Sequence, residues 1–530
     1  MYYLYSQIDR DNLKWFEKDG QSRTLKSIIL KRGKIRGLCS CSIEFKYPIA
    51  AIAGKNGAGK STILALACCA YHNEKDGYIP VERNKTYYTF RDFFIGTSDE
   101  EKVEDIEIEY KILVKVKRVT KDIMMKTISE ERLTKLRTQV RKKRKGGRWN
   151  DYEQRTNRNV IFSGIQRIVP PSERKTDRSY SARFESTNLD TDTKDRILEI
   201  ASKVLGKKYN SLDLRTVDKR RLFVVDRMSS HYSGFNMGAG ENAIFSVLIE
   251  LFMAKRGTLL VIDEIELGLH EEAQRRFISE LKKICKERKC QVICSTHSAA
   301  ILDSLPPEGR FFVESYDNKT DVINGISSEY ATGKLAGEKT EELTVFVEDE
   351  IGQAIVFNAL TANIKKRINI LPIGSDQAVL MQLAARYREQ KYNCIAFLDG
   401  DKKASNKQSV RQVKKHLEDR FDCSKEEMEQ WIIKRLKYLP GSTWPENWLI
   451  QHASDHISKK LSKLWRISEE DILQGCDKAI MAGKHNEFYE ISQTVPERSN
   501  QIISDIVRNL VEVIPKEFLY IEEEIKNMLE

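Results

Sequence analysis

The sequence predicts an α/β fold in which a larger first domain with a parallel sheet precedes a small parallel-sheet domain and C-terminal helices. Three observations lead to this prediction. The length of 530 residues fits two to four domains. Apolar runs at 49–53, 257–262 and 290–294 have the length of buried strands. From Leu343 onwards, strand and helix patterns alternate anew, which is typical of a second parallel sheet.

The composition narrows the class of protein. Hydrophobic residues make up 40% and charged residues 32% of the chain, which is too apolar for disorder and too charged for a membrane protein. The net charge of +11 favours a polyanionic partner. The N-terminus lacks a basic flank with a long apolar run, and the ten cysteines show no paired C-x-x-C spacing. We therefore expect a cytoplasmic protein with reduced thiols and no role in membrane transport or secretion.

The first motif follows the strand at 49–53 and precedes a helical pattern. Its spacing, G-x-x-x-x-G-K-S, is that of a phosphate-binding loop, in which glycines let the backbone wrap around phosphates. Lys60 is expected to reach the β- and γ-phosphates, and the Ser61 hydroxyl to bind Mg²⁺. The predicted ATP contacts in this motif are Gly54, Asn56, Gly57, Gly59, Lys60, Ser61 and Thr62.

A second motif follows the apolar strand at 257–262, which ends in two acids. Ligands of parallel sheets bind at the carboxyl ends of the strands, so Asp263 is expected to hold the Mg²⁺ of the nucleotide. Glu264 is one residue further and is expected to act as the general base on the attacking water.

Two further segments identify a family. The glycine-rich turn 237–242 opens an apolar helix before Asp263, and the strand at 290–295 leads to His297. This order of motifs, covering residues from about 25 to 335, resembles the ABC ATPase superfamily. The resemblance implies a head-to-head homodimer with two sandwiched ATP molecules. In it, Gly238, Gly240 and Glu241 would contact ATP bound by the partner, with Gly238 replacing the usual serine.

The same resemblance assigns roles to three other residues. His297 would sense the γ-phosphate and act with Glu264 and Lys60 as the catalytic set, and Gln166 is the candidate for the Q-loop residue. The residues at 264–270 and 295–298 resemble the corresponding motifs of RecF-like proteins, of the heads of structural-maintenance-of-chromosomes (SMC) proteins and of the overcoming-lysogenisation-defect (OLD) family. They look less like those of the ATPase subunit of a transporter.

A basic insert at about 120–160 interrupts the first domain. Lysine and arginine residues are concentrated in the middle of this insert, and Gly146-Gly147 ends this basic run. One interpretation is a basic arm or hairpin that contacts nucleic-acid phosphates; it could equally grip a partner protein or a structured RNA. The alternative is a solvated helix face and loop. The predicted contact residues are Arg141, Lys142, Lys143, Arg144, Lys145 and Arg148.

The second domain, expected at 340–455, carries acids at two predicted strand ends. Glu348 follows one strand, and Asp399 and Asp401 follow another. Such an oxygen-rich cluster suits Mg²⁺ or Mn²⁺. The constellation resembles the Toprim domain of topoisomerases, primases and OLD-family nucleases, which implies that these three acids bind metal. The same resemblance makes Glu446 a further metal ligand and Lys484 the lysine that stabilises charge on the cleaved phosphate.

The sequence departs from the Toprim pattern at two positions. The family's glycine after the first glutamate is replaced by Asp349, and an acid four residues after that glutamate is replaced by Gly352. Glu350 is a candidate to compensate. The region 456–530 is expected to be helical, with amphipathic patterns at 497–513 and 518–529, and either to cap the module or to mediate assembly.

Two hypotheses of function result from these motifs. The first is an OLD-like anti-phage defence protein of bacteria, similar to Gabija-type nucleases or retron- and Septu-associated ATPases of the PtuA kind. Its ATP-gated head dimer would control a Toprim-like, metal-dependent DNA endonuclease. The alternative is an ATPase sensor and scaffold whose degenerate Toprim-like domain regulates a separate HNH nuclease or a retron RNA/DNA complex. Both imply ATP, Mg²⁺ or Mn²⁺, a homodimer or larger homo-oligomer, and DNA or RNA as a partner.

Overall fold

The structure, a computed structural model, divides the chain into two compact units, Met1–Glu338 and Lys339–Glu530. It describes residues 3–529 except 74–76, 80–82, 84, 98, 101–102, 123–126, 146–148, 150–154, 170–183, 188, 218–219, 317–318, 338–340, 418–424, 485 and 496. The predicted α/β fold class with a parallel-sheet C-terminal domain is confirmed. In the described ranges, no helix is both long enough and apolar enough to cross a membrane.

The first unit combines strands from four sheets, one of them the short pair β4 and β7, with helices that pack on them. Its strands are β1 (Leu25–Arg32), β2 (Cys41–Glu44), β3 (Ile49–Gly54), β4 (Tyr71–His72), β5 (Ile106–Asp122), β6 (Thr127–Lys143), β7 (Thr156–Asn157), β8 (Val160–Ser163), β9 (Glu185–Thr187), β10 (Ser211–Val217), β11 (Arg220–Arg227), β12 (Ser230–Ser233), β13 (Leu259–Ile262), β14 (Gln291–Ser295), β15 (Arg310–Tyr316) and β16 (Lys319–Asn324). Its helices are α1 (Gln7–Lys18), α2 (Lys60–Cys68), α3 (Phe90–Phe93), α4 (Thr191–Leu205), α5 (Ala239–Met253), α6 (Glu271–Arg288), α7 (Ala299–Asp303) and α8 (Ser328–Ala336).

The central sheet of this unit has the strand order β16-β15-β3-β14-β13-β8. All pairings are parallel except that of β15 with β16. Strands β3, β13 and β14 are buried along their whole length, as expected for parallel strands covered on both faces. Because β14 lies between β3 and β13, the segments after these three strands meet at one edge of the sheet.

A second sheet, with the order β2-β1-β5-β6, contains the basic insert. Strands β5 and β6 form a long antiparallel hairpin whose register runs from Ile106 opposite Lys143 to Asp122 opposite Thr127. Most of the basic run therefore lies on a strand of the hairpin, which agrees with the arm or hairpin interpretation and not with a helix face. A third, antiparallel sheet has the order β12-β11-β10-β9.

The second unit is a parallel sheet packed with helices. Its strands are β17 (Leu343–Val347), β18 (Ile368–Pro372), β19 (Cys394–Leu398) and β20 (Leu436–Tyr438), in the order β18-β17-β19-β20. Its helices are α9 (Glu350–Ala359), α10 (Ala362–Lys365), α11 (Asp376–Arg388), α12 (Asn406–Leu417), α13 (Lys425–Arg435), α14 (Pro445–Trp465), α15 (Glu469–Ala482), α16 (Glu487–Thr494), α17 (Ser499–Val513) and α18 (Leu519–Leu529).

The C-terminal helices do not form a region of their own. The expected boundary at residue 455 falls inside α14, which runs unbroken to Trp465. One apolar core joins the sheet residues Val345 and Phe397 to Ile457 and Ile506 of the helices. Since the amphipathic helices share this core with the sheet, the structure places the whole of Lys339–Glu530 in a single unit.

Candidate functional site

The phosphate-binding loop joins β3 to α2 in a conformation that requires glycine. Gly59, the residue before α2, has φ +98°, and a Cβ there would lie 2.8 Å from the Leu38 side chain. The buried Lys60 side chain folds back over the loop, where Nζ donates to the carbonyls of Gly54 (2.7 Å) and Lys55 (3.2 Å). A backbone cradle with a lysine at the start of a helix fits the phosphates of ATP.

The other predicted residues of the loop divide into two groups. Asn56, Gly57 and Ser61 are exposed, and a Cβ on Gly57 would meet nothing within 4 Å. The Thr62 side chain is buried in the first turn of α2. The exposed residues are therefore accessible to a nucleotide, and the side chain of Thr62 packs inside the domain.

Asp263 lies where the ends of three strands meet. Its Oδ1 accepts a hydrogen bond from Ser295 Oγ (2.6 Å), and its Oδ2 lies 3.5 Å from Ser61 Oγ. The two residues predicted to hold the Mg²⁺ of the nucleotide are thus brought together, although they are 202 positions apart in the chain. A carboxylate and a hydroxyl oxygen are ligands that Mg²⁺ accepts, so this pair fits the ion.

Glu264 has an uncommon backbone conformation, with φ +51°. Its N–H donates to Ser295 Oγ (2.7 Å), so one hydroxyl holds both acids of the motif. Partial burial and the nearby carboxylate of Glu266 raise the pKa of Glu264 to about 7. Its Oε1 lies 3.5 Å from Nε2 of His297, whose own pKa is lowered by burial and by Lys60. A carboxylate with a pKa near 7 is well matched to proton abstraction at neutral pH.

Glu266 positions the segment around His297, a role that the motif alone did not indicate. Its carboxylate accepts hydrogen bonds from Thr296 Oγ1 (2.8 Å) and from the His297 N–H (2.5 Å). The signal in the sequence was only its place two residues after Glu264. Glu266 therefore fixes the backbone that carries His297 against the acidic motif.

Arg167 is a second functional residue that sequence reasoning missed. Its buried guanidinium donates to the carbonyls of Gly164 (2.9 Å) and Asp263 (2.7 Å), and also to the carbonyl of Glu264. Arg167 thus ties the end of β8 to both acids at the end of β13. Gln166, the candidate Q-loop residue, is exposed beside it, and β8 and β13 are neighbours in the sheet.

The glycine-rich turn that leads into α5 has one exposed glycine before the helix and one packed glycine in its first turn. Gly238 is exposed, and a Cβ on it would meet nothing within 4 Å. Gly240 is pressed against Gly268, since a Cβ on Gly240 would lie 2.0 Å from the Gly268 carbonyl oxygen. Gly268 belongs to the segment after Glu266, so the turn and this segment form one packed element.

Glu241 is placed differently from the prediction of an ATP contact. Its side chain is 7% exposed, and Oε1 accepts hydrogen bonds from the hydroxyls of Tyr209 and Tyr232, both at 2.6 Å. Oε2 lies 3.7 Å from the Lys207 ammonium. The structure therefore engages this carboxylate inside the domain, where it anchors α5 and holds the exposed turn in place.

In the second unit, three predicted acids meet at one edge of the parallel sheet. Glu348 follows β17, and Asp399 follows the neighbouring β19. The Asp399 N–H donates to Glu348 Oε1 (2.8 Å), and Asp401 lies two residues further on. The pairing of β17 with β19 brings these acids together, as expected for adjacent parallel strands.

Charge is concentrated in this cluster. Burial and the carboxylates of Glu348, Asp349, Glu446 and Asp401 raise the pKa of Asp399 to about 8. Asp399 is 6% exposed, and its Oδ1 atom is buried without a hydrogen-bond partner, as is Oδ1 of Asp401. Unpartnered carboxylate oxygens of this kind are suitable donors for a divalent cation.

The side chains do not form a preassembled metal cage. Among the residues that the structure describes, no group of three or more histidine, cysteine, aspartate or glutamate side chains has the arrangement of a metal site. The carboxylate oxygens of Asp399 and Glu348 are therefore suitable ligands for a divalent ion. To enclose such an ion, the two side chains would have to move closer together.

Glu446 and Lys484 lie at the same cluster. Glu446, in the first turn of α14, is buried, and its carboxylate is one of those that raise the pKa of Asp399. Lys484 Nζ lies 3.5 Å from Asp401 Oδ2. A second lysine that sequence reasoning missed, Lys402, pairs with Asp376 at 3.0 Å. Two cations thus flank the acids.

The departures from the Toprim pattern have a structural explanation. Asp349 caps α9, since its Oδ1 accepts hydrogen bonds from the N–H groups of Ile351 and Gly352, both at 2.9 Å. A Cβ on Gly352 would lie 3.2 Å from the Val347 Cβ, so an acid there would be crowded. Glu350 lines a cavity of about 570 Å³ between α9, β18 and α17, and it does not replace the missing acid in the cluster.

The predicted contact residues of the basic insert fall into different environments. Arg141 is only 3% exposed, because it lies on the packed part of β6, and its side chain is not available at the surface. Lys142 pairs with Glu107 at 3.0 Å. Lys143 is half-buried, whereas Arg144 and Lys145 are exposed; Arg148 lies outside the described residues.

Comparisons with known proteins agree with the nucleotide site. Residues 49–303 match a family model described as "AAA domain, putative AbiEii toxin, Type IV TA system". No curated protein matches the chain. Together with the geometry around Lys60, Asp263 and Glu264, the family match supports an ABC-type P-loop ATPase in the first unit.

Solved structures of SMC heads show a weak overall similarity. The SMC head domain from Thermotoga maritima is 14% identical, with a TM-score of 0.31, and the match covers 57% of this chain and 98% of that one. An SMC head bound to the C-terminal winged-helix domain of ScpA is 17% identical, with a TM-score of 0.34 and coverage of 58% and 99%. An SMC head from Pyrococcus furiosus bound to ScpA is 14% identical, with a TM-score of 0.34 and coverage of 59% and 98%. Similarities with TM-scores this low assign no function to the chain.

The two glycines at the N-terminal end of α5, Gly238 and Gly240, should respond differently to the same change. We expect Gly240→Ser to destabilise the protein by about 1–3 kcal/mol, because backbone must move away from the new Cβ. Gly238→Ser should leave the melting temperature unchanged, since it enters open space at φ −62°. Differential scanning fluorimetry measures both variants, and equal melting temperatures would contradict the packing of Gly240 against Gly268.

Loss of Arg167 should lower turnover more than ATP affinity. We expect Arg167→Met to reduce kcat for ATP about tenfold or more with little change in KM, because the backbone of Glu264 loses its support while the phosphate-binding loop is untouched. The control is Arg288→Met, since Arg288 also donates to backbone carbonyls, those of Phe252 and Ala254, away from the site. Steady-state ATPase assays compare the two variants, and an equal fall in kcat for both would refute the positioning role of Arg167.

Proposed function

We propose that the chain hydrolyses ATP in a head-to-head homodimer and uses this cycle to control a metal-dependent DNA endonuclease centre in its second unit. The observation that carries the nuclease part is the buried Asp399, which has an unpartnered oxygen atom and lies among other acids. The proposal joins two sites of similar construction, each with acids at the carboxyl ends of adjacent parallel strands.

In the ATPase step, each residue of the site has a separate role. The loop 54–59 and Lys60 bind the phosphates, and Ser295 and Arg167 hold Glu264 by its backbone. Glu264 accepts the proton of the attacking water, with His297 beside it. Ser61 and Asp263 would hold Mg²⁺, which would supply charge neutralisation at the phosphates.

The dimer is inferred from the exposed turn before α5. Gly238 and Ala239, where α5 begins, are exposed, no side chain caps this helix, and a helix N-terminus favours an anion. In the proposed dimer, this turn completes the nucleotide site of the partner. Glu241 supports it from inside, through its hydrogen bonds to two tyrosines.

In the nuclease step, Glu348, Asp399, Asp401 and Glu446 would hold Mg²⁺ or Mn²⁺, which supplies Lewis acidity at the scissile phosphate. Lys484 neutralises charge next to Asp401 and is placed to act on the same phosphate. Defence against phage is the proposed biological role. It is supported by the name of the matching family, which refers to a toxin of a type IV toxin–antitoxin system.

A second function is favoured by a specific observation. Gly352 is packed against Val347 and Leu439, Glu350 lines a separate cavity, and the described acids form no preassembled metal group. These features would suit an ATPase scaffold that regulates a separate HNH nuclease or a retron RNA/DNA complex. The two functions differ in whether the purified protein cuts DNA.

The dimer can be tested through Glu264. We expect Glu264→Gln to bind ATP but to lose at least about 100-fold in turnover, since the amide cannot take the proton. It should shift from monomer to a stable dimer on addition of ATP, as measured by multi-angle light scattering. The control is Lys60→Ala, which should stay monomeric because it does not bind the phosphates. A strictly monomeric Glu264→Gln protein in saturating ATP would contradict the dimer.

Metal-dependent cutting can be tested on plasmid DNA. We expect the wild type to nick supercoiled DNA in Mg²⁺ or Mn²⁺, and EDTA to stop it. The Asp399→Asn/Asp401→Asn variant should lose the activity while its ATPase rate is unchanged. The matched control is Asp455→Asn/Asp477→Asn, on α14 and α15, which should cut normally. Absence of cutting by the wild type with either metal would instead favour the scaffold function.

A further inference from the structure

Helix α12 brings positive charge directly after the acids of the second unit. It begins at Asn406, five residues after Asp401, and the 3₁₀ helix Gly400–Ser405 joins the two. From 402 to 417, the sequence contains six lysines and arginines and no acid. The negative cluster at the end of β19 is therefore followed along the chain by a segment of the opposite charge.

Three of these cations lie on one side of the helix. The opposite side, which carries Val410 and Val413, is buried in an apolar core of the unit. Lys407, Arg411 and Lys415 follow one another at intervals of four residues, and all three are exposed. Each such step turns by about 40° around the helix and rises by about 6 Å along it, so the three side chains are neighbours on its surface. They form one continuous cationic stripe.

The first two cations of this stripe lack counter-charges. Lys407 and Arg411 form no ion pair with any residue that the structure describes, whereas Lys414 of the same helix pairs with Glu429 of α13. Lys415 lies nearest the acids that follow the helix in the sequence. The positive charge that is available to an anionic ligand is therefore that of Lys407 and Arg411, at the end of the helix nearer Asp401.

We propose that Lys407 and Arg411 bind the phosphate backbone of duplex DNA and hold it beside the acids at the end of β19, an inference that rests on the proposed nuclease function and names its substrate-binding surface. Phosphate contacts fix the position of a protein on a duplex without reading its sequence. Only six residues separate Asp401 from Lys407, which corresponds to about 12 Å of helix axis. A duplex bound at the stripe would therefore lie within reach of the proposed metal ligands.

The form of the stripe favours a duplex over other polyanions. It rises about 12 Å from Lys407 to Lys415, and each strand of a duplex carries one phosphate per about 3.4 Å of its axis, so it spans three or four phosphates. Proteins that bind single strands use aromatic side chains as stacking platforms, and residues 402–417 contain no phenylalanine, tyrosine or tryptophan. A helix that lies in a membrane surface inserts its apolar face into the lipid, whereas the apolar face of α12 is buried in the protein core.

The test is fluorescence anisotropy with the full-length protein and a labelled DNA duplex, in EDTA and without ATP so that no cutting occurs. We expect Lys407→Gln/Arg411→Gln to weaken binding about tenfold or more at low salt. The slope of log K against log salt should fall by about 1.8, which is about 0.9 for each of two lost phosphate contacts. The melting temperature should be unchanged, because both side chains are exposed and glutamine has nearly the same helix propensity.

The matched control is Lys459→Gln/Lys463→Gln on α14, which removes two exposed cations with the same four-residue spacing. Asp455 precedes this pair at the same interval, so an acid offsets part of its charge. Lys459 also lies about 20 Å along the helix from Glu446, the acid that α14 contributes to the cluster. The control variant should bind the duplex like the wild type and keep the same salt dependence.

Cleavage provides a second readout. On plasmid DNA with Mg²⁺ or Mn²⁺, the Lys407→Gln/Arg411→Gln variant should show a higher KM for DNA with little change in kcat, because the backbone contact is the same in the ground state and the transition state. The control variant should keep both constants.

The proposal is overturned if the wild type does not bind the duplex, if both double variants lose affinity equally, or if the stripe variant binds normally. It is also overturned if only duplex RNA, single strands, acidic proteins or anionic vesicles depend on Lys407 and Arg411. A protein that binds the duplex through these two residues but does not cut it would contradict the nuclease alone. A protein that cuts equally well without the two cations would contradict the binding surface alone.

Discussion

One hydroxyl group organises the nucleotide site. Ser295 Oγ donates to Asp263 Oδ1 at 2.6 Å and accepts from the Glu264 N–H at 2.7 Å. It can do both only because β14 lies beside β13, in register, so that the two strands end at the same level. Arg167 completes the arrangement from the β8 side by binding the carbonyls of the same two acids. The position of the two acids is therefore determined largely by the sheet, through hydrogen bonds from neighbouring strand ends to their backbone and to the Asp263 carboxylate.

The two units differ in how the repulsion between their clustered carboxylates is offset. Each places several carboxylates at the carboxyl edge of a parallel sheet, where burial and then repulsion between the carboxylates raise the pKa values of Glu264 and Asp399 to about 7 and about 8. In the first unit, the positive charge of Lys60 partly offsets this repulsion. In the second unit, Lys484 lies beside Asp401, yet two buried oxygen atoms still lack partners. The remaining negative charge is what a divalent cation would neutralise.

Much of the fold was predictable, because it depends on local patterns. The spacing from Gly54 to Ser61 identifies a phosphate-binding loop in any chain. The apolar run before Asp263 likewise identifies the end of a buried strand. Their convergence in space also results from the parallel sheet. By contrast, Arg167 binds backbone carbonyls, which have no signature in a sequence. The burial of Arg141 depends on packing beneath β6, and a run of cations gives no indication of which side chain points inward.

Glu264 illustrates how activity and fold stability oppose each other in this chain. A left-handed backbone conformation at a residue other than glycine lowers the free energy of unfolding by about 1–3 kcal/mol, and glycine would avoid this cost. The protein thus keeps an energetically unfavourable backbone conformation at the proposed general base, and Ser295 and Arg167 hold it there through hydrogen bonds to its backbone. Selection for thermal stability alone would favour glycine or asparagine at this position, and either residue would remove the carboxylate that we propose as the general base.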